Sequence, residues 1–536
     1  MSDRSDRLLE VKGLSIAVGP ASDPNPMLLV DTVSFDVAQG QVLGLIGESG
    51  AGKSTIGLAA LGYVRPGCRL AGGTIRLDGK TMFDDRMMRG GPVTYVPQSA
   101  AASFNPAFRL VRQVIETAVV RGILDRRDAR RTACELFKGL GLRAADFGAR
   151  FPHQVSGGQL QRAAIAMALC TRPQLVVFDE PTTALDVTVQ VEVLMLIRDA
   201  IRNAGLSGIY ISHDLAVVAQ VADDIMVLRH GKTVEHASTR VILEAPQQDY
   251  TQRLLSVRMA TRLATGEASL APVLEGRSIT AGYGTLDVNQ DVSFSLKARS
   301  TLAVVGESGS GKSSLARVIT GLLAPRQGSI NYNAEPLPPR LTDRPLETRR
   351  HIQLIYQNPD VALNPRQTVG RILSRPLQLY FGLKGAALRV RVDQLLDQIE
   401  LPGSFKARLP GELSGGQKQR LCIARALAAE PGVVICDEVT SALDPLVADG
   451  IVRLLMRLQR ETHVAYIVIT HDIALVRAVA DDVLVMKEGR CVEYGPAAGL
   501  LASPADPYTR ALIDAVPKLQ MGWLDGVTAA RTAVRV

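Results

Sequence analysis

The stretch GESGAGKS at Gly47–Ser54 recurs as GESGSGKS at Gly306–Ser313, 306 − 47 = 259 positions later, and the landmarks around it recur in the same order. A repeat of this length restricts the chain to two copies of one folding unit before any other feature is weighed. Gln98, followed by Asn105-Pro106, matches Gln357, followed by Asn364-Pro365, at the same spacing. From SGGQ at Ser156 and Ser414 onward the spacing is 414 − 156 = 258. It holds for Asp179-Glu180 with Asp437-Glu438, for the Ala-Leu-Asp triplets at Ala184 and Ala442, for His213-Asp214 with His471-Asp472, and for Tyr250 with Tyr508. One residue is therefore lost between the glutamine and SGGQ, and the polar, helix-like run RRDARRTACELFKGL is where a length change costs little. The first module is expected over residues 8–255 and the second over 273–515, with a polar linker over 256–272 and a C-terminal tail over 516–536.

Within each module a short apolar run, Val42–Ile46 or Leu302–Val305, leads into the Gly-rich turn and then into an apolar-periodic stretch. That order is strand, loop, helix. Leu175–Phe178, Ile209–Ile211, Val433–Cys436 and Tyr466–Ile469 lack polar alternation, as strands buried on both faces of a parallel sheet do. An α/β core with a helical insertion is expected. No apolar run reaches the roughly 18 to 20 residues that cross a bilayer, and MSDRSDRLLE has no apolar stretch of a secretory leader; the chain is expected to stay in the cytoplasm. The 61 Lys and Arg against 53 Asp and Glu leave a charge of +8, which suits an anionic partner or membrane surface without requiring one. Cys68, Cys134, Cys170, Cys422, Cys436 and Cys491 form no C-x-x-C pair and read as buried thiols, not as a disulfide framework or metal cluster.

The motifs carry a chemistry. In Gly47, Glu48, Ser49, Gly50, Ala51, Gly52, Lys53, Ser54 and Thr55, and again in Gly306, Glu307, Ser308, Gly309, Ser310, Gly311, Lys312, Ser313 and Ser314, glycines let the backbone curl so that successive N–H groups face phosphate oxygens. Lys53 and Lys312 then reach the β- and γ-phosphates, and the hydroxyls of Ser54 and Ser313 ligate Mg²⁺. Asp179 and Asp437 end apolar strands, where a carboxylate is costly unless it faces a positive charge, so they join the Mg²⁺ shell. Glu180 and Glu438 come next in the strand, point differently, and polarise an attacking water. His213 and His471 each lie 34 residues beyond the aspartate (213 − 179 and 471 − 437) and close an apolar strand, from which a ring nitrogen reaches the γ-phosphate. A lone histidine at a strand end is more often packed or solvated; the repeated spacing argues for chemistry. Each SGGQ precedes a helix, which makes it a good cap and equally an anion-facing helix start.

This series of motifs resembles the ATP-binding cassette ATPases, twice over and along nearly the whole chain. The resemblance implies an α/β fold: two tandem P-loop NTPase domains, each with a RecA-like core, an antiparallel β subdomain and a helical subdomain. It implies head-to-tail packing, with one ATP held by Lys53, Ser54, Gln98, Asp179, Glu180 and His213 and completed by Ser414, Gly416 and Gln417. The other is held by Lys312, Ser313, Gln357, Asp437, Glu438 and His471 and completed by Ser156, Gly158 and Gln159. Gln98 and Gln357 join the Mg²⁺ sets. Departures are small: Val155 stands where the second copy has Leu413, and Val439 where the first has Pro181. Tyr283 is the aromatic expected to stack on adenine, whereas LSIAVGP in the first module offers none.

QSAAASFNP and QNPDVALNP, PHQVSGGQ around His153, and the tails APQQDYTQRL and SPADPYTRAL resemble the bacterial oligopeptide, dipeptide and nickel importer branch. In the second copy PGELSGGQ lacks that histidine. Membership implies two transmembrane permeases gripped by the loops after Gln98 and Gln357, an extracytoplasmic solute-binding protein acting indirectly, no nucleic acid, and a peripheral place on the cytoplasmic face of the inner membrane. Some relatives carry an iron-sulfur cluster beside the tail; with no cysteine over 171–421 or after 491, none is expected here. The alternative is a soluble twin-cassette ATPase acting on ribosomes, but those proteins carry a long charged helical linker and 256–272 is short and carries few charges.

Overall fold

The computed structural model describes residues 7–20, 22, 26–83, 91–142, 146–182, 185–256, 271–441 and 443–533. Its contacts divide the chain into two compact units, Met1–Ser256 with Pro517–Val536, and Val257–Val516. Most of the expected linker, residues 257–270, and the triplet residues Ala184 and Ala442 lie outside the described residues.

In the first unit the chain runs β1 (Arg7–Val18), β2 (Leu28–Ala38), β3 (Val42–Gly47), α1 (Lys53–Ala60), β4 (Cys68–Leu77), β5 (Lys80–Thr81), β6 (Val93–Val96), α2 (Leu110–Val120), α3 (Arg126–Gly139), α4 (Gly157–Leu169), β7 (Leu175–Asp179), α5 (Val187–Ala204), β8 (Ser207–Ile211), α6 (Leu215–Val218), β9 (Asp224–Arg229), β10 (Lys232–Ser238), α7 (Thr239–Glu244) and α8 (Asp249–Ser256). The second unit repeats it as β11 (Pro272–Tyr283), β12 (Leu286–Lys297), β13 (Thr301–Val305), α9 (Lys312–Ile319), β14 (Gln327–Tyr332), β15 (Glu335–Pro336), α10 (Leu346–His351), β16 (Ile352–Ile355), α11 (Pro359–Ala362), α12 (Val369–Phe381), α13 (Gly385–Gln398), α14 (Gly415–Leu427), β17 (Val433–Asp437), α15 (Pro445–Thr462), β18 (Ala465–Thr470), α16 (Ile473–Val479), β19 (Asp482–Lys487), β20 (Arg490–Pro496), α17 (Ala497–Ala502) and α18 (Pro507–Asp514); α19 (Trp523–Ala533) follows.

Each unit holds a four-stranded antiparallel sheet, β2-β1-β4-β5 or β12-β11-β14-β15, and a six-stranded sheet, β10-β9-β3-β8-β7-β6 or β16-β17-β18-β13-β19-β20. The six-stranded sheets are parallel apart from the final pairs β9–β10 and β19–β20. The uniformly apolar runs became β3, β7, β8, β13 and β18, buried along their whole length. β1 instead mixes buried and exposed positions, because only one face of its sheet meets the core. Leu9, Leu14, Val30, Leu43, Ile56, Val177 and Leu228 join that sheet, α1 and the central strands in one core.

The lost residue does not fall in α3: α3 and α13 are both 14 residues long. Leu142 and Leu401 are still 259 apart, whereas Phe147 and Phe405 are 258 apart, so the change lies between them, a stretch of which residues 143–145 are outside the described residues. Of the cysteines read as buried, Cys170, Cys422 and Cys436 are, but Cys68 and Cys491 are half-buried and Cys134 is exposed on α3. Among the described residues no helix is long and apolar enough to cross a membrane.

The segment after Val516 packs on the first unit. Trp523 and Leu524 are buried. Gln220, itself buried after α6, donates to the carbonyls of Ala216 (3.2 Å), Lys518 (3.0 Å) and Gln520 (3.2 Å) and accepts from Leu524 N (3.2 Å). Arg198 of α5, 7% exposed, reaches Asp525 at 2.6 Å and Thr528 Oγ1 at 3.2 Å. The second copy has Met456 and Ala478 at these positions. Exchanging them in, Arg198→Met with Gln220→Ala, takes the Gln220 donor from the carbonyls of Lys518 and Gln520 and leaves Asp525 with Arg202 alone, at 3.7 Å. It is expected to destabilise the first unit by about 2 kcal/mol and to make residues 517–533 cleavable in limited proteolysis. An unchanged melting curve and cleavage pattern would show that these side chains do not secure the segment.

Candidate functional site

β3 and β13 run directly into the glycine-rich turns. A Cβ on Gly47 would fall 2.2 Å from Leu228 O, and one on Gly306 2.2 Å from Met486 O, so the backbone of the neighbouring strand leaves room for glycine alone. Gly52 and Gly311, at φ 92° and 99°, then start α1 and α9 from the left-handed region. Lys53 is 6% exposed; its Nζ donates to Gly47 O at 2.7 Å and Glu48 O at 2.8 Å. Lys312 repeats the contacts with Gly306 O (2.8 Å) and Glu307 O (2.7 Å). Ser49 and Gly50, and Ser308 and Gly309, form the middle of each turn, Ala51 and Ser310 are buried within it, and Thr55 and Ser314 lie in the first turn of the helix.

Asp179 and Asp437 end β7 and β17 beside these turns. Ser54 Oγ donates to Asp179 at 2.9 Å and Ser313 Oγ to Asp437 at 3.1 Å. Burial raises both carboxyls above the usual range, partly countered by those hydroxyls. A carboxylate and a hydroxyl side by side are hard oxygen donors of the kind Mg²⁺ takes. Among the described residues no group of three or more His, Cys, Asp or Glu gathers as an all-protein metal site.

Glu180 and Glu438 do not continue their strands. They sit at φ 48° and 49°, in the left-handed region that non-glycine residues seldom occupy, with their N–H groups tied to Ile211 O and Ile469 O at 2.9 Å. The strained turn swings each carboxylate away from the aspartate and into a second hydrogen-bond set. Glu180 accepts from Gln98 Nε2 at 2.7 Å and lies 3.3 Å from His213 Nδ1. Glu438 accepts from Gln357 Nε2 at 2.7 Å and lies 3.4 Å from His471 Nδ1. The hydrogen bond from His471 holds Glu438 below the usual range, and that same bond raises His471. Burial opposes charge on His213, yet Glu180 outweighs it and raises that imidazole as well. Gln98 and Gln357 thus touch the glutamates, not the Ser–Asp pairs beside which they were expected.

The SGGQ turns cap α4 and α14. Ser156 accepts from Gln159 N (3.3 Å) while Gln159 accepts from Ser156 N (3.1 Å), and Ser414 and Gln417 do the same at 3.4 and 2.9 Å. They are reciprocal caps. Gly416 has no room for a side chain, since a Cβ would meet Val447 at 2.4 Å; Gly158 faces Leu185 at 3.4 Å.

Two contacts were not read from the sequence. Tyr95 donates to the second oxygen of Asp179 at 2.6 Å, whereas the second copy has Leu354 there; a tyrosine three residues before Gln98 was the only signal. Tyr283, 46% exposed at the end of β11, takes a hydrogen bond from Arg317 at 2.8 Å. The residue ending β1 is Val18, also exposed, so the first unit has an aliphatic side chain where the second has a ring.

Residues 30–183 and 289–441 match the ABC transporter family, and residues 492–535 match the oligopeptide/dipeptide transporter C-terminal region. The chain is 36% identical over 527 residues to the peptidoglycan transport ATP-binding protein YejF of Agrobacterium fabrum, covering 95% of this chain and 96% of that one. It is 35% identical over 572 residues to the glutathione import ATP-binding protein GsiA of Escherichia coli K12, covering 96% and 91%. A similar fold occurs in the crystal structure of the complex of archaeal ribosomal stalk protein aP1 and archaeal ribosome recycling factor aABCE1, at a TM-score of 0.62, 22% identity and 90% of each chain.

Proposed function

Because this chain belongs to the ATP-binding proteins of ABC transporters, we propose that it is the ATP-hydrolysing subunit of a bacterial importer for peptides or a related small solute. The observation that carries the reading is the doubled constellation: each unit places a buried lysine, a Ser–Asp pair and a Gln–Glu–His set around one glycine-rich turn. Lys53 and Lys312 bind and neutralise the β- and γ-phosphates. Glu180 and Glu438 take the proton of the attacking water as its oxygen bonds to the γ-phosphorus and the bond to the β–γ bridging oxygen breaks. His213 and His471 hold those glutamates in place, and the bond from His471 favours the ionised form of Glu438. Ser54 with Asp179, and Ser313 with Asp437, would hold Mg²⁺, which would supply neutralising positive charge to the phosphates. The SGGQ turns add the second phosphate-facing surface.

The solute is a peptide or peptide-like compound; the relatives' names, peptidoglycan transport and glutathione import, point to that class. Two permeases dock on the surfaces that follow Gln98 and Gln357, and an extracytoplasmic solute-binding protein acts through them, which places the chain peripherally on the cytoplasmic face of the inner membrane. In the second unit a cavity of about 460 Å³ is lined among others by Tyr356, Gln367, Arg375, Pro376 and Tyr380. Its mixed apolar and cationic lining suits a short helix from a permease.

Tagging the chain in its own host, solubilising the membranes gently and identifying what co-purifies tests the reading. Two hydrophobic permeases are expected. Ribosomal proteins from a soluble fraction, with no permease, would leave the ATPase standing and remove the importer.

A further inference from the structure

The tail motif at Tyr250 and Tyr508 takes no part in the chemistry above. In the second unit Glu493 of β20 accepts from Ala505 N at 2.9 Å and Asp506 N at 3.2 Å, fixing the approach to α18. Asp506 caps that helix by accepting from Tyr508 N (2.7 Å) and Thr509 N (3.3 Å). The cap sets Tyr508 with its ring 4.9 Å from Lys487 Nζ, a cation–π contact, and its hydroxyl 3.0 Å from Glu307 N, which donates to it. Glu307 is the second residue of the glycine-rich turn, and its carbonyl is already engaged by Lys312 at 2.7 Å and by Ser310 N at 3.1 Å. The tail and the lysine therefore hold opposite ends of one peptide-bonded residue at the turn's entrance.

The first unit places its tail tyrosine in a similar setting, without the aspartate cap or the hydrogen bond to the turn. Glu235 accepts from Gln247 N (2.7 Å) and Gln248 N (3.2 Å), and Arg229 lies 4.8 Å from the centre of the Tyr250 ring. Tyr250 is buried with its hydroxyl turned to Glu48, the matching residue of the first turn, but short of hydrogen-bond geometry.

We propose that Tyr508 is a positioning residue for nucleotide binding: its phenol oxygen fixes the entrance of the phosphate-binding turn, so that the N–H groups after Glu307 are arranged before the phosphates arrive. This rests on the ATP-binding reading above. Pre-arrangement acts on affinity, because the ordering cost is met before binding and not during it.

The test is Tyr508→Phe in the full chain, which keeps the ring under Lys487 and removes the hydroxyl. ADP titrated calorimetrically is expected to bind about fivefold more weakly at one of its two sites, the loss of roughly one hydrogen bond. Turnover at saturating ATP is expected to change less than twofold, and amide exchange at Glu307 to quicken while Leu302–Val305 stay protected. A folded variant with wild-type ADP affinity and unchanged Glu307 exchange overturns the proposal. Should the variant fail to fold, the wild-type chain decides: a Glu307 amide exchanging as fast as an exposed one overturns it, and a protected one supports it. No ADP binding by the wild-type chain overturns the ATP-binding reading and this proposal with it.

Discussion

Replacing both Glu180 and Glu438 with glutamine is expected to cut ATP turnover by about three orders of magnitude while leaving ATP bound. Glutamine matches glutamate in size, can occupy the same left-handed turn, and still offers a carbonyl oxygen to Gln98 or Gln357. What it cannot do is take a proton from water. Neither phosphate-binding turn is altered, so binding survives and the chain holds uncleaved nucleotide. Each single variant should trap ATP and slow turnover in its own right. The measurement is the nucleotide retained after rapid gel filtration, read as ATP or ADP, beside the steady-state phosphate release rate. Normal turnover in the double variant would remove the glutamates from the mechanism and with them the assignment.

Lys53→Ala with Lys312→Ala should fail in the opposite way, by not binding. Each ammonium is almost wholly enclosed by its own turn and donates to two of its carbonyls. Truncation takes the lysine donor from Gly47 O and Gly306 O and removes the positive charge from the centre of each turn. Charge-assisted hydrogen bonds are worth about 1.5 to 3 kcal/mol each, so losing two corresponds to a hundredfold or greater fall in ATP affinity. Equilibrium binding of a fluorescent ATP analogue separates the cases: retained by the glutamine variant, lost from the alanine variant. Wild-type affinity in the alanine variant would mean that the turns do not grip phosphate through these lysines.

Much of this was legible in the sequence because the repeat checked every motif against itself. Buried parallel strands show no alternation, and β3, β7, β13 and β18 were therefore visible as apolar runs. The glutamates were read as continuing their strands, and the structure turns them aside instead; spacing along a chain does not report φ. The length difference was placed in a helix because polar helical sequence looked tolerant, yet a helix that packs α2 and α4 cannot lose a residue without rotating its buried Ala129, Ala133 and Phe137 out of the core. The change in spacing falls instead between Leu142 and Phe147. The partnership of Tyr95 with Asp179 escaped notice because it joins two neighbouring strands 84 residues apart and is made only once. The docking of α19 escaped for a related reason: Arg198 and Gln220 gave no periodic signal, and their partners lie 298 to 330 positions away.

That last distance has a consequence for synthesis. Leu524 and Gln220 are 304 residues apart, and at the roughly 5 to 20 residues per second of translation the first unit waits on the order of half a minute for the segment that finishes one of its faces. Until then Arg198 and Gln220 face water, where they are well solvated; apolar residues in their place would form a sticky patch on a nascent chain. A frameshift or stop codon just after Val516 would likewise spare the unit it adjoins and injure the one made first.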